Sequence, residues 1–302
     1  MSGTQDICAL QRRGSAAALV ATVVALVAGL LVVASSSTSA APRGRYLDEV
    51  FDAKRTADLV YGRVHHLDGS VEKLRLDLYR PIGDRRKKRP VVIFIHGGDS
   101  SIDKGFARNR VIPRRMAKRG FVGASINYRD NTVGMTREAQ HDTRAAVRWF
   151  RANAAKYRID PSRIVLIGSS AGAMDALNVA FDPDDAGDSG HPGYSSAVAG
   201  AISIGGGSTE PFDIALGEPP IAMIHAEDDV KVPIVAADAT CEQTKALGNV
   251  CEFFRYRTGG HPPEFIDEHK GRLIEQSARF MCRNVIGLAG CRDRNDDGRV
   301  DR

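Results

Sequence analysis

The sequence contains no Cys-x-x-Cys pair and no pair of histidines close to its cysteines. A structural zinc site therefore lacks its usual ligand spacing. No segment repeats along the chain, which excludes solenoid and propeller architectures. An excess of one sign of charge is also lacking: the net charge is only +5, and charged residues make up an ordinary 26% beside 43% hydrophobic residues. The one dense basic run, Arg85-Arg86-Lys87-Lys88-Arg89, lies between two apolar stretches. It reads as a solvated turn before it reads as a polyanion patch, and no nucleic-acid partner is expected.

At 302 residues the chain suits one large α/β domain better than two. Its first forty residues differ from the rest. Arg12 and Arg13 precede an uncharged run from Ala16 to Ala34, and small polar residues follow from Ser35 to Ala41. That is the layout of a secretory signal, with cleavage expected after Ala40, and the rival reading is an uncleaved anchor. Membrane association is expected only if this segment is retained. The domains expected are a signal over 1–40, a single folded domain over 41–290 and a tail over 291–302. A secreted or extracytoplasmic location agrees with the cysteines. Cys8 would leave with the signal, and Cys241, Cys251, Cys282 and Cys291 fall into two close pairs. Pairing by proximity gives Cys241–Cys251 and Cys282–Cys291 in an oxidising compartment.

Alternating residues Asp58–Val64 and Leu74–Tyr79 flank Asp68-Gly69, the signature of an antiparallel hairpin. Pro90 opens the continuous apolar run Val91–Ile95, which ends in His96-Gly97-Gly98-Asp99. A helix is expected over 107–118, a strand over 121–127 and one long amphipathic helix over 136–157, carrying Trp149 and Asp142 in structural roles. Strands are expected at 164–167, 198–204, 221–225 and 251–256, and helices at 171–180, 234–247 and 263–281. The Asp-, Gly- and Ser-rich segment 182–196 is expected as a loop on the active-site side of the sheet. Strands alternating with helices imply a mostly parallel sheet covered on both faces.

Ile164-Val165-Leu166-Ile167-Gly168-Ser169-Ser170-Ala171-Gly172 organises the rest. A buried strand, a Gly-x-Ser-x-Gly turn and a helix follow one another, the setting of a nucleophile elbow. A Cβ at Gly168 or Gly172 would collide with the neighbouring strand or helix. A serine hydroxyl needs a base, and the base needs an orienting carboxylate. Both follow in chain order: Asp228 or Asp229 after the strand 221–225, then His261 after Thr258-Gly259-Gly260. The other histidines, among them His225, read as packing or surface residues. Developing negative charge on a carbonyl oxygen would meet the backbone amides of Ala171, Gly98 and Asp99.

These segments together resemble the α/β-hydrolase superfamily, and within it the secreted bacterial esterase-like members with a His-Gly-Gly turn. The resemblance is carried by Val92–Gly98, Ser125-Ile126-Asn127-Tyr128-Arg129, Asp142–Trp149 and Asp160-Pro161-Ser162-Arg163-Ile164 leading into the elbow. It implies an α/β-hydrolase fold, a mostly parallel central sheet with helices on both faces, an N-terminal antiparallel hairpin and no large lid domain. In similar enzymes the acid stands four residues before the proline of an Asp-x-x-Val-Pro turn, which selects Asp229 over Asp228. Asp99 replaces the usual third glycine, and Ala173 the glycine that normally follows Ser-Ala-Gly.

The resemblance implies a serine esterase that acts on a small-molecule or polymer-linked ester through an acyl-enzyme, with Ser170, His261 and Asp229 as the triad and no cofactor. The alternatives are a serine peptidase, a polyester depolymerase or a silent secreted binding module. Asp293, Asn295, Asp297 and Asp301 resemble part of a calcium loop, but the sequence ends at Arg302, before the loop's bidentate glutamate. Calcium binding there is expected to be weak.

Overall fold

The computed structural model describes residues 44–98, 104–129, 136–209 and 213–288. The expected signal, Asp99, Cys291 and the calcium-like tail lie outside the described residues. Eight strands form one sheet: β1 (Ala53–His65), β2 (Val71–Pro81), β3 (Arg89–Ile95), β4 (Val122–Ile126), β5 (Ile159–Ser169), β6 (Gly200–Ile204), β7 (Ile221–Ala226) and β8 (Cys251–Tyr256). Their order across the sheet is β1-β2-β4-β3-β5-β6-β7-β8. Only β2 runs antiparallel to its neighbours β1 and β4, and the pairs from β4 to β8 are all parallel.

The apolar runs of the central strands follow from this topology. Val91, Ile93 and Ile95 of β3 face one side of the sheet with Ile164 and Leu166 of β5. Val92, Phe94, Val165 and Ile167 face the other. Side chains alternate with period two, and both faces are covered, so every position must be apolar. The first face is covered by α2 (Arg137–Ala152) and α4 (Ala171–Phe181), the second by α1 (Val111–Lys118) and α6 (Glu264–Met281). α5 (Val235–Ala246) packs near the far edge of the first face, where Cys241 is bonded to Cys251 of β8. Cys282 is also disulfide-bonded.

The hairpin turns at Gly69, whose φ of 83° suits glycine, and Asp68 accepts hydrogen bonds from the Ser70 amide and hydroxyl. In the basic run, Arg85 to Lys88 are exposed, whereas Arg89 is buried against Asp84 at 2.7 Å.

Two local expectations are corrected. The helix expected over 136–157 stops at Ala152. Asn153 turns its side-chain amide back onto the Trp149 carbonyl at 2.9 Å, and a separate turn, α3 (Ala154–Tyr157), follows. β5 starts at Ile159 instead of Ile164, because Ile159 pairs with Arg89 before an irregular stretch around Asp160-Pro161. The segment 182–196 is a loop, as expected. It lies along α2, where Asp182 meets Arg144, Asp185 meets His141, and Ser189 meets Asp142 and Arg129.

Asp175 of α4 is fully buried and accepts a hydrogen bond from the Thr143 hydroxyl at 2.6 Å. Burial pushes its carboxyl up to about 8, against the opposing pull of Thr143 and Arg144. The folded state thus holds a proton that the unfolded chain releases near pH 4, so this contribution to stability is present below pH 4 and lost as pH rises toward 8. Asp175→Asn keeps the shape and the Thr143 bond without the ionisation. The variant is expected to unfold about 5–10 °C higher than wild type at pH 8 and at nearly the same temperature at pH 4. Thermal melts across that range check it.

Candidate active site

The turn after β5 places Ser170 in a strained backbone conformation, φ 54° and ψ −123°. Two glycines make it possible. A Cβ on Gly168 would stand 1.9 Å from the Gly172 carbonyl oxygen, and one on Gly172 would stand 2.4 Å from that of His96. Strand, helix and the β3 turn are therefore in backbone contact around the serine, and they enforce a geometry that costs of order 1–3 kcal/mol. The Ser170 amide is tied to the Ile204 carbonyl at the end of β6. Ala171 begins α4, so its N–H has no carbonyl one turn earlier in the helix to bond.

The Ser170 hydroxyl lies 2.7 Å from His261 Nε2, and His261 Nδ1 lies 2.7 Å from Asp229 Oδ2. Two carboxyl-end loops, after β7 and after β8, supply the acid and the imidazole. Asp229 Oδ1 accepts the amides of Lys231 and Val232. Burial alone would raise the Asp229 carboxyl, but the Val232 amide and the His261 ring outweigh it and hold it below the ordinary carboxylate range. A carboxylate facing Nδ1 fixes that nitrogen as the N–H and leaves Nε2 as the acceptor for the serine proton.

Asp228 has a different place. Its carboxylate accepts the amides of Gly259 at 3.3 Å and Gly260 at 2.8 Å, so it holds the loop that carries His261 without touching the ring. Of the two acids, only Asp229 meets His261.

The His96-Gly97-Gly98 turn reaches the serine directly. A Cβ on Gly97 would lie 2.7 Å from Ser170 Cβ, which leaves glycine as the fitting residue. Tyr128 packs on the His96 ring, with centroids 4.5 Å apart, and its hydroxyl donates to the Gly98 carbonyl at 2.8 Å. Asp99 falls outside the described residues. A cavity of about 180 Å³ opens over Ser170, with Phe94, Pro262, Pro263 and Ile266 as its apolar wall and Arg108, Asn109 and Lys231 on its polar side.

One residue at the site was not singled out from the sequence. His225, buried in β7, donates from Nε2 to the Val232 carbonyl at 2.8 Å, and the same nitrogen lies 3.3 Å from Asp229 Oδ2. Burial pushes its pKa down against the pull of Val232 and Asp229, so the ring stays neutral near pH 7. It closes the acid's turn from beneath. The signal available was the His-x-x-x-Asp spacing of Ile224-His225-Ala226-Glu227-Asp228-Asp229. His225→Leu is expected to cut kcat about tenfold through loss of a buried hydrogen bond, with KM little changed. His225→Gln, whose amide can reach the Val232 carbonyl, is expected to recover most of it. Steady-state kinetics on the two variants check this.

Among the described residues, no group of three or more His, Cys, Asp or Glu is arranged to hold a metal ion. No helix there is long and apolar enough to cross a membrane.

A family model described as BD-FAE matches residues 76–190, which include β3, α2 and the elbow. The chain is 40% identical over 106 residues to a probable isoprenylcysteine alpha-carbonyl methylesterase of Oryza sativa subsp. japonica, covering 35% of this chain and 24% of that protein. It is 32% identical over 146 residues to esterase LipQ of Mycobacterium tuberculosis, covering 48% of this chain and 33% of that protein. The chain thus spans roughly a quarter to a third of the length of these curated relatives. Among solved structures, esterase Est2 of Thermogutta terrifontis superposes with a TM-score of 0.65 at 24% identity, covering 82% of this chain and 97% of that one. The same enzyme phosphorylated by paraoxon gives 0.66 at 25% identity, covering 81% and 98%. By its sheet order, its elbow and these likenesses, the chain has the α/β-hydrolase fold.

Proposed function

We propose that the chain is an exported serine hydrolase that cleaves carboxylic esters through an acyl-enzyme. The observation that carries the proposal is the continuous relay from Ser170 through His261 to Asp229, opening into an apolar-walled cavity. His261 Nε2 takes the Ser170 proton as Oγ bonds to the ester carbonyl carbon. The Ala171 amide, with donors from the Gly98–Asp99 turn, receives the charge on the carbonyl oxygen. Collapse expels the alcohol, which takes the proton from His261 and leaves the acyl group on Ser170. A water then repeats the sequence and releases the acid. Asp229 stays ionised throughout and steadies the imidazolium. The cycle asks for no cofactor.

Export is supported by the signal-like first forty residues together with the Cys241–Cys251 disulfide. The relatives named as esterases support an ester over a peptide substrate. The cavity is smaller than the roughly 300–1,000 Å³ of pockets for drug-sized ligands, which favours short acyl chains. A series of p-nitrophenyl esters of rising acyl length, run beside peptide p-nitroanilides, tests the proposal. Turnover of the short esters with none of the anilides is expected. Anilide cleavage would reassign the protein as a peptidase, and inactivity on every substrate would reassign it as a binding module.

A further inference from the structure

A second cavity, of about 350 Å³, lies between the start of the hairpin and α1, and Ala53, Arg55, Tyr79, Arg110, Val111 and Arg114 line it. Three guanidinium groups converge on it, and their circumstances differ. Arg55 is paired with the buried Asp77 at 2.6 Å. Arg110, at the end of the turn leading into α1, and Arg114, within α1, stand four residues apart, and like charges at that spacing repel. Neither has an acidic partner among the described residues.

Two residues that line the cavity also carry buried hydrogen-bonding groups with no partner among the described residues. Tyr79 is 2% exposed, and its hydroxyl has no hydrogen-bond partner among the described residues. Arg110 Nε is likewise buried without one. A buried donor left without a partner is costly, so native proteins rarely leave two on residues that line one hollow. Burial and Asp77 push the Tyr79 phenol up to about 12, against the pull of Arg55, Arg110 and Arg114, so it remains a neutral O–H donor. Asp77, the acid that faces Tyr79, is already engaged by Arg55 and by the Asp58 amide.

From this juxtaposition of two uncompensated guanidinium groups and an orphaned tyrosine hydroxyl around one cavity, we infer a binding site for a phosphate or sulfate group of a small soluble molecule. A tetrahedral dianion offers acceptors to all three groups at once and neutralises the Arg110–Arg114 repulsion. The alanine and valine walls leave room for a compact organic remainder. The site is separate from the nucleophile's cavity, although Arg108 and Asn109 of the same turn line that cavity.

Calorimetric titration of the full chain with inorganic phosphate, against chloride at equal ionic strength, tests the inference. Saturable binding at one site is expected. Tyr79→Phe should weaken it about fivefold and Arg114→Gln about tenfold or more, from the loss of hydrogen bonds to a charged group. Both variants should keep wild-type melting temperatures and wild-type rates on p-nitrophenyl butyrate. Glycerol 3-phosphate should bind at the same site and compete with phosphate. Three results would overturn the inference: no saturable binding, phosphate affinity equal in wild type and both variants, or binding to phosphatidic acid vesicles with none to free phosphate. The last would assign the basic cluster to a membrane surface.

Discussion

Ser170→Ala is expected to lower turnover of p-nitrophenyl esters by about 10⁶ while leaving the melting temperature within a degree or two of wild type. The two halves of this expectation have separate causes. Removing Oγ removes the atom that bonds to the acyl carbon, so the cycle has no first step. The fold does not depend on that atom, because the strained turn is held by backbone contacts of Gly168 and Gly172 and by the Ser170 amide on Ile204. Alanine occupies the same backbone conformation at much the same cost as serine. Any residual rate would come from the backbone donors and from binding alone, some 10³–10⁴ over water in comparable systems. A variant retaining more than about 1% of wild-type turnover would remove Ser170 from the chemistry.

The second large effect separates two adjacent acids. Asp229→Asn is expected to lose about 10⁴ in kcat, whereas Asp228→Asn keeps most activity. An amide at position 229 can turn its NH₂ toward Nδ1, which places the ring proton on Nε2 and removes the acceptor for Ser170. It also removes the charge that steadies the imidazolium. At position 228 the carboxylate serves as an acceptor for the Gly259 and Gly260 amides, and the oxygen of asparagine accepts them as well. Asp228→Ala loses both bonds and is expected to fall between the two, because the loop carrying His261 is loosened. Rates for the three variants, with their melting temperatures, check the order. Equal losses at 228 and 229 would contradict it.

The parts of the site written in local sterics were legible in the sequence. Gly168 and Gly172 identify a turn that tolerates no Cβ, and the spacing of Asp229 to Pro233 distinguishes it from Asp228 through likeness to similar enzymes. The apolar runs of β3 and β5 identified strands buried on both faces. What depended on partners distant in sequence was not legible. Nothing near Asp142 announces that Arg129 and Ser189 converge on it once the loop 182–196 lies along α2. His225 was read as packing because a lone histidine in a strand usually is, and its contact with the Val232 carbonyl exists only once the chain turns at Asp229. The basic cavity was invisible for the same reason, since Tyr79 and Arg110 meet only when α1 docks on the hairpin.

The most direct test of the central claim, that Ser170 is the nucleophile of an acyl-transfer relay, is intact-mass and peptide mass spectrometry of the chain after brief exposure to paraoxon. One diethylphosphoryl group per chain is expected, located on Ser170, with esterase activity lost in proportion. The Asp229→Asn variant is expected to label far more slowly, and Ser170→Ala not at all. An unmodified chain, or a modification located on any other residue, would contradict the account.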